Sequence, residues 1–260
     1  MTDSIGDRMK GYEQAARSVL TNRLPVIVRV DGKAFHTYTA GSERPFDKRL
    51  GDVMIDVAKK LCESIQGAQL AYTQSDEISI LVHGYKKFDS QPWFDNQVQK
   101  MASIAAGTAS AWFTAHSWRI WAGENEADVT DIKPAVFDAR VFVVPEADVC
   151  NYFLWRQQDA LRNSVQMLAR SLFSHKQCDN KGGMDLEQMC FEKGHNYGDL
   201  PARWRRGVCV RRVTSEGPVG GWSPGDLPPP MRKRWEADLE IPIFSQKREY
   251  VNDLLKLEQE

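Results

Sequence analysis

Residues 69–83, QLAYTQSDEISILVH, have the pattern of two short strands joined by a turn. Gln69–Thr73 and Ile78–His83 are rich in apolar and β-branched residues, which favour strands. Between them, Gln74–Glu77 contains Ser and Asp, which commonly form turns. The stretch therefore predicts a β-hairpin with acidic side chains at its tip.

Elements predicted on either side of this hairpin complete a recognisable unit. Before it come a buried strand that ends at Asp31 and Gly32, and then a helix with apolar residues at intervals of three and four. After it come a long helix and another strand. The strand–helix–hairpin–helix–strand order is that of a ferredoxin-like βαββαβ unit, an antiparallel sheet with two helices on one face. The predicted elements are the strand Pro25–Val30, the helix Asp47–Leu61, the helix Phe94–Trp121 and the strand Ala135–Val144.

The fold class predicted is therefore α+β, with a palm-like catalytic domain over residues 1–145 and a C-terminal extension over 146–260 that packs on the palm. The extension is expected to contain both helices and a strand, and its Gly- and Pro-rich segment 217–230 is expected to be a mobile loop. Its predicted elements are the helix Ala147–Phe173, the helix Asp185–Lys193, the strand Gly207–Val213 and the short helix Gln246–Lys256.

Composition excludes several classes of protein. The 260 residues are 42% hydrophobic and 27% charged, which is typical of a folded globular chain. A net charge of −1 excludes binding of nucleic acid by bulk attraction, so any polyanion site must be a local patch. Five dispersed cysteines without a CxxC pair predict neither a disulfide scaffold nor a zinc site. Neither a signal peptide nor a membrane span is predicted, so we expect a cytoplasmic protein without a membrane partner.

Three carboxylates are expected to converge at one end of the predicted sheet. Asp31 ends the first strand, and Asp76 with Glu77 lies on the neighbouring hairpin. Carboxylates brought together in this way repel one another unless a cation compensates, and Mg²⁺ prefers such oxygen ligands together with phosphates and water. The pattern predicts a magnesium–nucleotide site of the palm polymerase type. For Asp31 or Asp76 taken alone, the simpler interpretation is that the residue ends a strand or forms a turn.

Several motifs in a defined order resemble one family: the tRNA(His) guanylyltransferases and their bacterial and archaeal relatives, which are 3′-to-5′ (reverse) nucleotide polymerases. The resemblance extends over nearly the whole chain. The motifs are Val-Arg-Val-Asp-Gly-Lys-Ala-Phe-His (28–36), Gln-Ser-Asp-Glu-Ile-Ser (74–79), Phe-Asp-Ala-Arg-Val (137–141), Trp-Arg-Gln-Gln-Asp (155–159) and Gly-His-Asn-Tyr (194–197).

The resemblance implies a set of site residues. Asp31 and Asp76 would hold two Mg²⁺ ions, with help from the carbonyl of Gly32 and support from Glu77. ATP and GTP would be substrates, and Arg29 is expected to be structural. Further nucleotide contacts are implied for the backbone of Gly32, Lys33, Ala34, Phe35 and His36, which would cradle the triphosphate, and for Ser75 and Lys100, which match family positions near the nucleotide to be activated.

Contact with RNA is predicted for a basic cluster in the C-terminal extension. Arg203, Arg205 and Arg206 lie together without an intervening acid, and Trp204 offers a face for base stacking. Asn196 either contacts nucleotide or RNA, or caps its own loop. A second basic run, Arg232–Trp235, is as compatible with a solvated surface as with an RNA contact.

The family reaction uses ATP to adenylylate the 5′-monophosphate of a tRNA, after which the 3′-hydroxyl of a nucleoside triphosphate displaces AMP. Where the eukaryotic enzymes have His-Ile-Asn-Asn, this chain has Leu161, Arg162, Asn163 and Ser164. We therefore favour template-dependent repair of 5′-truncated tRNA over addition of G at position −1 of tRNA(His), and expect a homotetramer, as is common in the family. A nucleotide cyclase and a non-catalytic RNA-binding palm protein are alternatives. A cyclase would have a Gly-Gly-Asp-Glu-Phe type hairpin, whereas Gln74-Ser75 precedes the acids here. A non-catalytic protein would have lost the acidic residues, whereas Asp31, Asp76 and Glu77 are all present.

Overall fold

The computed structural model describes residues 4–87, 89–122, 133–216 and 231–256. In these residues the strands form one six-stranded antiparallel sheet in the order β4-β1-β3-β2-β5-β6. The strands are β1 Val26–Gly32, β2 Ala68–Gln74, β3 Glu77–Val82, β4 Phe137–Val143, β5 Val208–Glu216 and β6 Met231–Asp238. The helices are α1 Ile5–Ala15, α2 Phe35–Tyr38, α3 Lys48–Ser64, α4 Val98–Ala122, α5 Glu146–Leu172, α6 His175–Cys178, α7 Gly183–Glu192, α8 Ala202–Arg206 and α9 Glu249–Asn252, with 3₁₀ turns at Trp93–Asn96, Tyr197–Asp199 and Asp253–Leu255.

The ferredoxin-like palm predicted from the sequence is confirmed. The order β4-β1-β3-β2 is that of the βαββαβ unit, and α3 and α4 cover one face of it. Val28, Val30, Ile78 and Ile80 point to that face and share one buried core with the apolar sides of the two helices. Because side chains alternate along a strand, the intervening residues of β1 and β3 point to the other face.

The second face of the sheet is covered by α5, the long helix of the C-terminal segment. Tyr152 and Phe153 of α5 pack with Ile27 and Leu81 in a separate core. The strands β5 and β6 extend the same sheet beyond β2, so residues before and after position 145 share one sheet. The predicted loop 217–230 lies outside the described residues.

Several elements differ from the sequence-based expectation. The helix predicted from Phe94 begins only at Val98, because Phe94, Asp95 and Asn96 all have positive φ angles, which are incompatible with a right-handed helix. The predicted helix Gln246–Lys256 is two short turns, α9 and the 3₁₀ turn after it. The strand β6 was not predicted, and only a basic run was noted there. It is an edge strand rich in charged residues, so it lacks the alternating apolar pattern by which strands are recognised.

The N-terminal helix α1 was also not predicted, and it has no buried residue to produce a pattern. Ser4 caps it by accepting a hydrogen bond from the Asp7 N–H at 3.1 Å. Within the parts of the chain that the structure describes, no helix combines the length and apolar character that crossing a membrane requires.

Candidate nucleotidyl-transfer site

Asp31 and Asp76 come together at one end of the sheet. Asp31 is next to last in β1, and Asp76 lies in the two-residue turn between β2 and β3, where Gln74 pairs directly with Glu77. Ser75 adopts a φ of +51° to close this tight turn. The Gly32 N–H donates to the Asp76 carbonyl at 3.1 Å, so the backbone itself holds the turn against the end of β1.

The surroundings of Asp76 suit a divalent cation. Burial raises the pKa of its carboxyl group, and the charge of Asp31 adds to this, while a hydrogen bond from Ser75 and the nearby imidazole of His36 oppose it. The Ser75 hydroxyl donates to Asp76 Oδ1 at 3.0 Å. Two partly buried carboxylates that repel each other form a hard, anionic donor set, which Mg²⁺ would neutralise.

Glu77 is placed differently from its neighbour. It is buried, and both of its oxygens accept from Arg156 of α5, from Nε and Nη2, at 2.7 Å each. Burial lowers the pKa of the Arg156 guanidinium, but the charge of Glu77, the hydrogen bond to it and the charge of Asp159 together raise that pKa above its usual value. The charge of Glu77 is therefore compensated by an arginine, and the structure leaves Asp31 and Asp76 as the open pair.

Accordingly, the described residues contain no group of three or more His, Cys, Asp or Glu side chains that could hold a metal ion. The residues still fit Mg²⁺, because this ion usually takes only one or two carboxylates from a protein and completes its shell with water and substrate phosphates. Asp31 and Asp76, with the Gly32 carbonyl, would be the protein's ligands.

The segment after Asp31 turns sharply into α2. A Cβ at position 32 would come within 2.2 Å of the Phe35 ring, so only glycine allows this ring to fold back on the chain. Ala34 has a φ of +53° and precedes α2. The Phe35 ring is buried against Tyr38 and Phe113, whereas Lys33, Ala34 and His36 remain exposed.

Beside the carboxylate pair lies a cavity of about 520 Å³, within the range of small-molecule sites. Its lining residues come from α2, the loop after it and the first turns of α3, and also from α5 and α8. Phe46 and Trp204, which both line it, stack on each other with ring centroids 5.0 Å apart. Among its lining residues are Gly32, Ala34, Phe35, His36, Ser75 and Asp76, six of the residues predicted for the site.

Asp47 lies in the wall of this cavity, and its carboxylate is fully engaged. Arg49 donates to it through Nε at 3.0 Å and Nη2 at 2.7 Å, and the backbone N–H groups of Glu43 and Arg49 donate at 3.1 and 3.0 Å. These bonds lower the pKa of Asp47 to about 2, the bond from the Arg49 side chain most, although burial opposes them. Asp47 thereby ties the loop after α2 to the start of α3.

Lys100 is not brought to this cavity. It lies in the first turn of α4, next to the segment before β1, where the Val98 N–H donates to the Ser18 carbonyl. Ser110, which bonds the Phe137 N–H near the end of β1, is ten residues further along α4, a rise of about 15 Å. The predicted contact of Lys100 with the nucleotide has no support from the geometry of one chain.

The predicted RNA-binding residues have partners within the chain. Arg203 donates to Asp52 at 2.8 Å, Arg205 Nε to the Leu200 carbonyl at 2.7 Å, and Arg206 to the Ile241 carbonyl at 3.1 Å. Asn196 caps its own turn, accepting from Gly198 N–H at 3.1 Å. Of these four residues only Arg203 lines the cavity.

Most residues that line the cavity were not predicted from the sequence. Phe46 and Met167 were not singled out, and Trp204 was expected to stack on RNA although its ring stacks on Phe46. Asn163 and Ser164 were noted only for their departure from the eukaryotic pattern, and both line the cavity. Their place shortly after the Trp-Arg-Gln-Gln-Asp motif was the available signal.

Comparison with known proteins gives a consistent result. The family profile described as tRNAHis guanylyltransferase matches residues 6–145. A probable tRNA(His) guanylyltransferase of Dictyostelium discoideum is 26% identical over 224 residues, covering 81% of this chain and 83% of its own.

Two solved structures resemble the whole chain. A bacterial tRNA(His) guanylyltransferase (Thg1)-like protein in complex with ATP is 42% identical, with a TM-score of 0.84, over 98% of this chain and all of its own. A structure of such a bacterial protein in complex with GTP is 40% identical, with a TM-score of 0.78 over the same shares of the two chains.

Proposed function

This chain belongs to the tRNAHis guanylyltransferase family of nucleotidyltransferases, and from that membership we propose that it adds nucleotides to the 5′ end of tRNA in the 3′-to-5′ direction. The observation that carries the proposal is that Asp76 lines a cavity of about 520 Å³ together with Gly32, the residue after Asp31, whose charge acts on Asp76. The similar bacterial structures hold ATP and GTP. The cavity would take the nucleotide that activates the RNA.

Two transfers make up the proposed reaction. In the first, an oxygen of the RNA 5′-monophosphate attacks the α-phosphorus of ATP, the bond to the β-phosphate breaks, and pyrophosphate leaves. In the second, the 3′-hydroxyl of a nucleoside triphosphate loses its proton and attacks the activated 5′-phosphorus, and AMP leaves. GTP can replace ATP in the first transfer, with GMP leaving in the second.

The residues near the pair have separate tasks in this scheme. Asp31, Asp76 and the Gly32 carbonyl would hold two Mg²⁺ ions, which supply charge neutralisation at the phosphates and a lower pKa for the attacking hydroxyl. The backbone from Gly32 to His36 would lie along the triphosphate, and Ser75 would orient Asp76 through the hydrogen bond it donates. Glu77 acts through Arg156 and holds the turn in place.

Repair of 5′-truncated tRNA is the favoured form of this activity. The departure at Leu161–Ser164 from the eukaryotic pattern supports it, and so does the 42% identity to a bacterial family member compared with 26% to the Dictyostelium enzyme. Addition of G at position −1 of tRNA(His) is the alternative. A homotetramer and a cytoplasmic location remain predictions.

The test is to incubate the protein with Mg²⁺, ATP, GTP and a labelled, 5′-monophosphorylated tRNA that lacks its first nucleotide. We expect adenylylation followed by extension, and a loss of roughly a thousandfold in Asp76→Asn, since the metal contributes several kcal/mol. Asp56→Asn removes the same charge from an exposed site on α3 and should leave the rate unchanged.

Intact tRNA(His) without the −1 nucleotide serves as the second substrate. Faster extension of the truncated tRNA supports repair, whereas extension of intact tRNA(His) alone supports −1 addition. If wild-type protein binds both tRNAs but neither adenylylates nor extends them, the catalytic proposal fails and the non-catalytic RNA-binding alternative replaces it.

A further inference from the structure

Three side chains of the C-terminal segment have a buried polar atom without a hydrogen-bond partner among the described residues. They are Ser164 of α5 through Oγ, Tyr197 through Oη and Arg203 of α8 through Nε. A buried donor or acceptor without a partner costs free energy, because it has given up its hydrogen bonds to water. Ser164 and Arg203 both line the cavity, so a ligand there can supply the missing partner.

Ser164 is the more deeply buried of these two lining residues. It is only 3% exposed. A serine in a helix commonly donates to a carbonyl of the preceding turn. Ser171, further along α5, donates in this way to the Leu168 carbonyl at 2.7 Å, whereas the Ser164 hydroxyl has no such bond. The Ser164 hydroxyl is therefore available to a molecule in the cavity.

Tyr197 lies next to Ser164. It packs against the core that Val165 and Leu168 of α5 form with α7. Burial raises the pKa of the Tyr197 hydroxyl, and the side chain of Ser164 opposes this rise. A serine hydroxyl has one donor and two acceptor positions, so a bond between the two hydroxyls would leave Ser164 with capacity for a ligand.

The direction of α5 places Ser164 beyond the carboxylates. The Tyr152 hydroxyl lies 2.8 Å from that of Ser79, and Arg156 bonds Glu77, so α5 approaches the hairpin turn as its residue numbers rise. Ser164 lies eight residues after Arg156, a rise of about 12 Å along the helix. A nucleotide with its phosphates at the carboxylates therefore extends its base towards Ser164.

The lining near Ser164 suits a base better than a phosphate. Met167, one turn further along α5, lines the cavity together with Leu50 of α3. Arg203 also lines it, but Asp52 compensates its charge by accepting a hydrogen bond from it at 2.8 Å. Apolar walls with a few polar groups are typical of pockets that orient an uncharged part of a ligand.

Adenine and guanine differ in the group at position 6 of the ring. Adenine has an amino group there, which donates, and guanine has a carbonyl oxygen, which accepts. A serine hydroxyl rotates freely and can accept from the first or donate to the second. One hydroxyl therefore matches both ATP and GTP.

We propose that the Ser164 hydroxyl binds the group at position 6 of the purine base of the nucleotide in the cavity. It accepts from the amino group of ATP and donates to the carbonyl oxygen of GTP. The proposal rests on the proposed function, and it names a residue that determines which bases the nucleotide site takes.

The experiment compares two nucleotides that differ only at position 6. The Kd values of ATP and of purine riboside triphosphate, which has a hydrogen in place of the amino group, are measured by calorimetric titration in Mg²⁺ without RNA. Wild-type protein should bind ATP about tenfold more tightly, as expected for one hydrogen bond to a group that otherwise has no partner. Ser164→Ala should bind the two equally, and it should lose affinity for GTP as well as for ATP.

Ser171→Ala is the matched control, because it makes the same substitution on the same helix at a hydroxyl that already has a partner. It should retain the tenfold preference. Ser164→Ala should melt no lower than wild type, since it removes an unpartnered buried hydroxyl and alanine favours a helix.

Equal Kd values for the two nucleotides in wild type, or a preference for ATP that survives in Ser164→Ala, would each overturn the proposal. Adenylylation of tRNA is measured on the same wild-type preparation. Adenylylation without a preference at position 6 would refute the role of Ser164 alone, and a preference that depends on Ser164 without adenylylation would refute the proposed function alone.

Discussion

Asp76 and Glu77 are adjacent in the chain and have different environments. Asp76 lies in the turn with Ser75 as its hydrogen-bond donor, while Glu77 is the first residue of β3 and is bonded to Arg156. Both are acidic and both belong to one motif, so local sequence does not separate their tasks. The side chain that approaches from α5 makes the difference, because a bidentate arginine neutralises a carboxylate that would otherwise be free for a cation.

At the same scale, Asp47 predicts a dependence of stability on pH. Its pKa is about 2 in the folded chain and 3.8 in the unfolded reference, so the unfolded state binds the proton more readily. The stabilisation is complete above about pH 4 and is lost as pH falls towards 2. It amounts to at most about 2 kcal/mol, since Arg49 is half exposed.

Urea unfolding of wild type and Asp47→Asn at several pH values tests this expectation. The difference in free energy of unfolding between the two should be largest near pH 6 and should shrink steadily below pH 4. A difference that is constant from pH 6 to pH 3 would contradict it.

Among the elements, α5 is the one that joins the hairpin to the rest of the molecule. Arg156 bonds Glu77 and also Asp159 at 2.9 Å, and the Tyr152 and Ser79 hydroxyls lie 2.8 Å apart. Two residues on successive turns of α5 therefore contact alternate residues of β3. This connection holds the turn that carries Asp76.

Removal of Arg156 alone should be strongly destabilising. Arg156→Met leaves the buried Glu77 carboxylate without its partner, and we expect the free energy of unfolding to fall by about 3–5 kcal/mol. The double variant Glu77→Gln, Arg156→Met removes both charges and should be more stable than the single variant. Chemical denaturation measures both, with exposed Arg162→Met as the control. A double variant less stable than Arg156→Met would contradict the ion-pair explanation.

The approach of α8 to α3 is equally specific. A Cβ on Gly51 would lie 2.8 Å from the Trp204 ring and 2.9 Å from the Arg203 guanidinium. Gly51→Ala should therefore displace the Trp204 ring and the Arg203 guanidinium, destabilise the chain by about 1–3 kcal/mol and weaken ATP binding.

Gly107→Ala on α4 is the matched control, because a Cβ there has no neighbour within 4 Å. It should be neutral or stabilise the chain by about 0.5–1 kcal/mol, as alanine favours a helix over glycine. Thermal melting and calorimetric titration with ATP distinguish the two variants, and equal behaviour would refute close packing at Gly51.

At the scale of the whole molecule, residues from both halves of the sequence form the cavity. Its lining includes Gly32 and Asp76 from the palm, Asn163 from α5 and Trp204 from α8. The β5–β6 hairpin continues the palm sheet, which fixes α8 against α3. Neither half provides a complete site by itself.

Binding of nucleotide should therefore stabilise the entire chain. At an ATP concentration about 100 times its Kd the gain is about 2.7 kcal/mol, which corresponds to roughly 5–10 °C in Tm for a chain of this size. We expect this shift with ATP and Mg²⁺ together in differential scanning fluorimetry. It should be much smaller with ATP and EDTA, and an equal shift in both would show that Asp31 and Asp76 do not hold the nucleotide through a metal.

The palm could be predicted from the sequence because each of its elements has a local pattern. Alternating apolar residues, a helix with an apolar stripe and a Ser-Asp turn are all short-range signals, and their order specifies the βαββαβ unit. The carboxylate pair followed from that order, since Asp31 lies near the end of β1 and Asp76 lies in the turn just before the neighbouring strand β3. Motif order also identified the family.

Long-range packing accounts for what the sequence did not reveal. The bond of Arg156 to Glu77 spans 79 residues and that of Arg203 to Asp52 spans 151, and neither leaves a periodic signal. The strand β6 is charged and becomes a strand only because β5 supplies hydrogen-bond partners. Lys100 shows the same point, since the length of α4 separates it from the carboxylate pair. Local patterns thus specify elements, whereas partners distant in sequence determine which side chains meet, because that depends on packing in three dimensions.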